Sequence, residues 1–139
     1  MDDTQKEFII NGRAVIGRAQ YQTLVNSGGH AIIADEPLDE GGTNTGMSPY
    51  NLLLASLASC TVITLRIYIN RKMWAIDEVA VDLQMYRTGN GILIDSAISF
   101  KGEVTQEQQK RLVAIADACP IHKILVGNIT ITTSIGQKA

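Results

Sequence analysis

The longest apolar stretch of the chain covers residues 48–71, SPYNLLLASLASCTVITLRIYINR. Serine followed by proline is typical of a helix start, because the serine hydroxyl can accept a first-turn amide and proline lacks that amide. Leucine and isoleucine then recur without a wide polar face, which is typical of a helix buried on nearly all sides. We therefore predict a central core helix here, along which Ser56, Cys60 and Thr64 form one stripe of small side chains.

A membrane span is the alternative for this helix, because about 20 apolar residues suffice to cross a bilayer. Serine, threonine and asparagine recur within the stretch, Arg66 lies inside it, and amphipathic segments flank it. These features favour the core helix of a soluble protein.

The segments before this helix have the pattern of strands. Residues 8–18 carry isoleucines and valine around Asn11-Gly12, which is a turn or bulge signal. Residues 21–26 and 30–34 flank Ser27-Gly28-Gly29, which predicts a hairpin. Residues 35–47 then form a polar, glycine-rich segment that is long enough to be a functional loop. No Lys-Ser or Lys-Thr follows its glycines as in a phosphate loop, so we interpret them as a source of flexibility.

The segments after the helix predict a long hairpin. Apolar residues alternate with polar ones over residues 79–86, which is the period of a half-buried strand. A turn at 88–91 leads into a partner strand over residues 92–101.

Two short helices and a strand complete the predicted order. Thr105 and Gln108 match a capping box for a helix that ends near residue 118. Pro120 fits the first turn of a further helix, with Cys119 as its N-cap. Isoleucines alternate with polar residues over 128–135 and predict a last strand. The order βββ-α-ββ-α-α-β belongs to the α+β class, in a single domain over residues 1–139.

An apolar central helix must be covered on all sides, and two sheets and one amphipathic helix from a single chain do not suffice for this. We therefore expect an obligate homodimer in which the two central helices are shared between the protomers.

Length and charge restrict the class of protein. A chain of 139 residues is enough for one domain with a real core. The net charge is −2 and the chain has no basic run, which argues against a nucleic-acid partner. The acidic, polar N-terminus does not resemble a secretory signal, so we expect a cytoplasmic protein. Two cysteines in such a protein are more typical of buried thiols or a redox pair than of a disulfide framework.

The two cysteines are the first candidates for chemistry. Cys60 lies in mid-helix among leucines, where a buried thiol commonly serves as a small apolar side chain. Cys119 at a helix N-terminus should have a lowered pKa, and His122 follows three residues later. Local electrostatics thus predicts that Cys119 is the more acidic thiol. Neither cysteine has the local sequence of a cysteine protease, and no CxxC or HxxxH spacing suggests a metal site.

Two motifs together resemble a known family. The run GGTNTGMSPYNLLLASLASCT and the later ADACPIHKIL, whose cysteines are 59 residues apart, resemble the OsmC/Ohr family of osmotically inducible and organic-hydroperoxide-resistance proteins. The resemblance extends from YQTLVNSGGHAIIADEP to the last predicted strand, and it is nearest to the YhfA-like branch.

The resemblance implies both an architecture and a mechanism. It implies an intertwined dimer whose central helices are wrapped by sheets from both chains. It assigns Cys60 as the peroxidatic thiol and Cys119 as the resolving thiol. An organic hydroperoxide is then the substrate, an external dithiol is the reductant, and no metal or bound organic cofactor is needed.

The resemblance also implies an arginine that holds the peroxidatic thiolate, for which Arg18 is the better candidate and Arg13 the alternative. The family's glutamate, ten residues before Cys60, is replaced by Tyr50. Tyr50 and Asn51 are expected to line the substrate pocket, with His122 as a third candidate. Because the glutamate is missing, a second hypothesis is a dimeric module that binds an apolar small molecule in the same pocket without turnover.

Overall fold

Five strands and three α-helices follow one another within residues 5–136, the part of the chain that the computed structural model describes. They are β1 (Gly12–Ile16), β2 (Thr23–Ser27), β3 (His30–Ala34), α1 (Pro49–Lys72), β4 (Ile76–Arg87), β5 (Ile92–Gly102), α2 (Gln106–Ala116) and α3 (Pro120–Val126), with a short 3₁₀ helix at Leu38–Glu40 between β3 and α1. The α+β class is confirmed, and the observed order is βββ-α-ββ-α-α.

The chain divides into two compact units, with the boundary between Leu53 and Leu54 inside α1. The first unit holds β1, β2, β3 and the start of α1, and the second holds all later elements. The assignment of residues 1–139 to a single domain stays a prediction.

The first unit contains an antiparallel sheet in the order β1-β2-β3. The predicted hairpin is confirmed, since Ser27 pairs with His30 across Gly28 and Gly29. Both glycines have positive φ, 61° and 80°, which this tight turn requires and glycine adopts without strain. The predicted strand over residues 8–18 is shorter than expected. It begins at Gly12, and Ile9 and Ile10 before it are exposed.

The loop between β3 and α1 is organised by Asp35, which is buried. Its carboxylate accepts hydrogen bonds from the backbone amides of Tyr21, Glu36, Thr43 and Thr45 and from the Thr43 and Thr45 hydroxyls, at 2.6–3.2 Å. A Cβ at Gly42 would collide with the Glu36 carbonyl, and one at Gly46 with the Ile33 carbonyl. The interpretation of these glycines as a source of flexibility is therefore wrong, because they permit close backbone packing.

The second unit packs the long β4-β5 hairpin and α2 against α1. The hairpin is confirmed, with antiparallel pairing from Ile76 opposite Gly102 to Arg87 opposite Ile92. The predicted capping box is also confirmed: the Thr105 hydroxyl accepts from the Gln108 amide, and the Gln108 side chain accepts from the Thr105 amide. The core of this unit consists of buried apolar side chains from α1, β4 and α2, namely Leu65, Ile69, Ile76, Leu112 and Ala116.

Helix α1 is buried along one stripe of the single chain, formed by Leu57, Thr61, Leu65 and Ile69. Other large apolar side chains of α1 are exposed, with Ile63 at 57% and Ile67 at 48%. The hairpin and α2 of one protomer cover only one side of the helix, so burial on nearly all sides, which the sequence analysis expects in a dimer, stays a prediction. By length and hydropathy alone α1 could also cross a membrane, and 22% of its most apolar window is buried. The prediction of a soluble core helix stays a prediction.

The predicted last strand over residues 128–135 is not formed within the described part of the chain. A strand needs a neighbouring strand for its backbone hydrogen bonds, and no strand of the described chain pairs with this segment. Its alternating isoleucines remain in solvent, with Ile131 exposed to 83% and Ile135 to 99%.

Candidate active site

The start of α1 is capped as the sequence predicts. The Ser48 hydroxyl accepts from the Asn51 amide at 3.3 Å, and the Ser48 carbonyl accepts from Leu52 at 2.9 Å. The Asn51 side-chain oxygen accepts in turn from the Ser48 hydroxyl at 2.7 Å and from the Ser48 amide at 3.3 Å. Asn51 thus takes the position of the glutamate or glutamine in a capping box. Its expected contact with substrate stays a prediction.

The second unit brings the two cysteines together. Cys60 lies in the middle of α1 and is half-buried, whereas Cys119 precedes α3 and is completely buried. Both thiols are free, and Cys60 lies close enough to Cys119 to contribute to the raised pKa of Cys119. Leu112 and Ala116 of α2 pack in the same core as Leu65 of α1. Because α2 packs on α1, the turn that follows α2 places Cys119 next to α1.

Burial and the hydrogen bond to Cys60 raise the pKa of Cys119, and they outweigh the opposite effect of the amides of His122 and Ile121. The prediction that the N-terminus of α3 lowers the pKa of Cys119 is therefore wrong. The N-terminus of a helix lowers a thiol pKa only where desolvation is the weaker effect.

His122 lies at the start of α3, close to Cys119. Its backbone amide donates to the Cys119 sulfur at 3.5 Å, which confirms Cys119 as the N-cap of α3. Its Nδ1 lies 3.9 Å from Oδ1 of Asp117, and its side chain is 36% exposed. Asp117 is absent from the predicted site residues, although a carboxylate two residues before the Cys-Pro pair was a signal for it.

A cavity of about 840 Å³ lies within the first unit. Its floor is one face of the sheet, formed by Ala14, Ile16, Thr23, Val25 and Ala34, and its rim includes Tyr21, Glu36, Glu40 and Tyr50. Tyr50 therefore lines a largely apolar pocket, as expected for a substrate-binding residue, although the identity of what it binds stays a prediction.

The two candidate arginines differ in their relation to this cavity. Arg13 alternates with Ala14 along β1 and pairs with Asn26, so it lies on the face of the sheet opposite the cavity. Arg18 is exposed in the bend between Ile16 and Tyr21, both of which line the cavity. This placement favours Arg18. Arg18, Tyr50 and Asn51 belong to the first unit and the two cysteines and His122 to the second, so an arginine beside Cys60 stays a prediction.

Metal ligands are not gathered anywhere in residues 5–136: no three His, Cys, Asp or Glu side chains there are placed to hold a metal ion. The chemistry available within the second unit is that of two adjacent thiols and an imidazole.

The α+β fold and the two thiols that lie close together in space place the protein in a class of small proteins with a pair of cysteines. The model of the OsmC-like protein family matches residues 42–134, which is more than half of the chain. The chain therefore belongs to the OsmC-like family. The narrower assignment to the YhfA-like branch stays a prediction.

Solved structures with the same fold agree with this assignment. An OsmC-like protein from Mycoplasma pneumoniae has a TM-score of 0.73 and 21% identity, over 88% of this chain and 90% of its own. An organic hydroperoxide resistance protein OsmC from Legionella pneumophila has a TM-score of 0.60 and 22% identity, over 89% and 93%. The organic hydroperoxide resistance protein OhrB of Bacillus subtilis has a TM-score of 0.58 and 24% identity, over 87% and 93%. No curated protein matches the chain.

Proposed function

We propose that the protein is a thiol-dependent peroxidase that reduces organic hydroperoxides with Cys60 and Cys119. The observation that carries the proposal is the proximity of these two thiols, whose positions are 59 residues apart in the chain. Family membership and the similarity to proteins named for organic hydroperoxide resistance support the same substrate class.

The proposed reaction has three steps. The Cys60 thiolate attacks the O–O bond of the hydroperoxide, which releases the alcohol and leaves a sulfenic acid on Cys60. The Cys119 sulfur then attacks the Cys60 sulfur, the S–O bond breaks, and water leaves as the disulfide forms. An external dithiol finally reduces the disulfide by two thiol exchanges.

The different environments of the two thiols support this division of roles. Cys60 is half-buried and is thus the thiol that a substrate can reach, whereas Cys119 is completely buried against it. Arg18 is the residue proposed to add a positive charge beside Cys60, with Tyr50 lining the pocket in place of the family's glutamate.

Oxidation of the reduced protein by cumene hydroperoxide tests the proposal directly. We expect one Cys60–Cys119 disulfide per chain after one equivalent of peroxide, measured as the loss of two hydrogens by mass spectrometry and located by peptide mapping. Hydrogen peroxide at the same concentration should react more slowly, because it lacks an apolar group. A protein that keeps both thiols after several equivalents of cumene hydroperoxide would contradict the proposal.

The cavity beside Tyr50 supports a second candidate function, a module that binds an apolar small molecule without turnover. A largely apolar cavity of about 840 Å³ is within the usual size of ligand sites, and tyrosine cannot hold an arginine by charge as the missing glutamate would. Rapid, stoichiometric disulfide formation in the peroxide experiment would argue against pure binding, whereas unreactive thiols would favour it.

The protein is further proposed to be an intertwined homodimer in the cytoplasm, where thiols stay reduced. The exposed side chains of Ile63 and Ile67 on α1, and the unpaired isoleucines of residues 128–135, support an interface with a second copy. We expect a dimer in sedimentation velocity at micromolar concentration. We also expect Ile67→Glu to weaken the dimer, because a charge would replace an apolar contact. A stable, folded wild-type monomer would contradict the proposal.

A further inference from the structure

Disulfide formation requires an acceptor for the proton of Cys119, and the three proposed steps do not name one. The Cys119 side chain has no exposed surface, so water cannot reach its thiol directly. Its neighbour is Cys60, whose sulfur it must attack. A thiol is a weak nucleophile until it loses its proton, so a base near this site would accelerate the step.

His122 is placed to be that base. Its backbone amide is 3.5 Å from the Cys119 sulfur, and it stands at the third position of a helix whose N-cap is Cys119. Its Nδ1 lies 3.9 Å from Oδ1 of Asp117, which stands two residues before Cys119. A carboxylate at Nδ1 favours a proton on that nitrogen and leaves Nε2 as an acceptor.

The partial exposure of His122 is also what a proton relay requires. With 36% of its side chain in solvent, the imidazole can exchange protons with water, whereas the buried Cys119 thiol cannot. The titratable groups that the structure places around it are Asp117, Cys119 and, behind Cys119, Cys60 on α1. Lys123 is its neighbour in the chain and is exposed.

We propose that His122, oriented by Asp117, accepts the proton of Cys119 when Cys119 attacks Cys60. The inference rests on the thiol pair of the proposed function. The imidazole takes the Cys119 proton, the S–S bond forms, and the S–O bond of the Cys60 sulfenic acid breaks. The departing hydroxide takes a proton from the imidazolium and leaves as water, so His122 ends the step neutral. Asp117 is a positioning residue in this scheme.

The step can be measured without any peroxide, by use of dithiobis(nitrobenzoate). The more accessible Cys60 forms a mixed disulfide with the reagent and releases one coloured thionitrobenzoate. Cys119 then attacks the Cys60 sulfur and releases a second, so the two phases report on the two thiols separately in a stopped-flow trace. In this assay the group that leaves Cys60 is thionitrobenzoate, whereas in the peroxide reaction it is hydroxide. Both reactions require that Cys119 loses its proton, and this is the step that the second phase reports.

We expect His122→Gln to slow the second release at least about 10-fold and to leave the first within about 2-fold, because a positioned base contributes a factor of roughly 10² or more. The second release should rise less steeply with pH in the wild type than in His122→Gln, because in the variant the thiol must ionise unaided. Asp117→Asn should give an intermediate rate.

Lys123→Gln is the matched control, since it changes an exposed charge next to His122 and should leave both phases unchanged. Folding of each variant is checked by circular dichroism. If His122→Gln does not fold, Asp117→Asn tests the proposal in its place, because the Asp117 side chain is exposed. Equal second phases in wild type, His122→Gln and Asp117→Asn would overturn the proposal, as would release of a single equivalent by the wild type. Two equivalents from a protein that does not consume hydroperoxide would refute the peroxidase and leave the role of His122 standing.

Discussion

Replacing Cys60 with serine is expected to abolish the consumption of cumene hydroperoxide with a dithiol reductant, with a loss of roughly 10³-fold or more. A serine hydroxyl stays protonated at neutral pH and is a poor nucleophile towards an O–O bond, and the other thiol of the proposed site, Cys119, is completely buried. The measurement is the rate of hydroperoxide loss in a colorimetric assay at fixed dithiothreitol. Equal rates of hydroperoxide loss for wild type and Cys60→Ser would refute the proposed peroxidase activity.

Cys119→Ser is the matched control, and it separates the two thiols. Serine is a favoured N-cap residue, so α3 should keep its start. We expect the first oxidation of Cys60 to persist and the internal disulfide to be lost. The sulfenic acid should then be trapped by dimedone, and excess peroxide should convert it to the sulfinic acid. A variant that turns over like the wild type would show that Cys119 is not the resolving thiol.

Replacing Asp35 with asparagine is expected to lower the Tm by roughly 5–10 °C in a melt followed by far-UV circular dichroism. The Asp35 Oδ2 accepts hydrogen bonds from the Thr43 hydroxyl, the Thr45 amide and the Thr45 hydroxyl. An amide nitrogen in the place of either carboxylate oxygen would face donors and leave them unpaired in a buried site. Asp39→Asn removes a charge at an exposed position of the same loop and should leave the Tm within about 2 °C.

The same carboxylate predicts a dependence of stability on pH. Burial by itself would raise the pKa of Asp35, but the hydrogen bonds from Thr43, Thr45 and Glu36 hold it well below its usual range. A carboxyl group with a lowered folded pKa stabilises the fold above its unfolded pKa of about 3.9, and this contribution is lost as the pH falls through and below that value. The Tm difference between wild type and Asp35→Asn should therefore be constant above about pH 5 and shrink in more acidic buffers. A difference that does not change down to pH 3 would contradict this.

Much of the local structure could be predicted from the chain, because the signals are local. Ser48 before Pro49 caps α1, Thr105 and Gln108 cap α2, and Cys119 before Pro120 caps α3. The long hairpin followed from a side-chain period of two, and the family followed from the motifs around Cys60 and Cys119. The caps and the strand period depend on residues a few positions apart, so a short stretch of sequence is enough to predict them.

The sequence by itself therefore determined where the helices and the long hairpin lie, which residues begin each helix, and which family the chain belongs to. Only the tertiary structure decided that Asp35 organises the loop between β3 and α1, and that Cys119 has a raised pKa. It also decided that residues 128–135 pair with no strand of the described chain. These properties depend on which distant groups surround a residue and exclude water from it. Desolvation and hydrogen bonds from remote parts of the chain outweigh the local field of a helix end at Cys119, and no pattern of neighbouring residues records them.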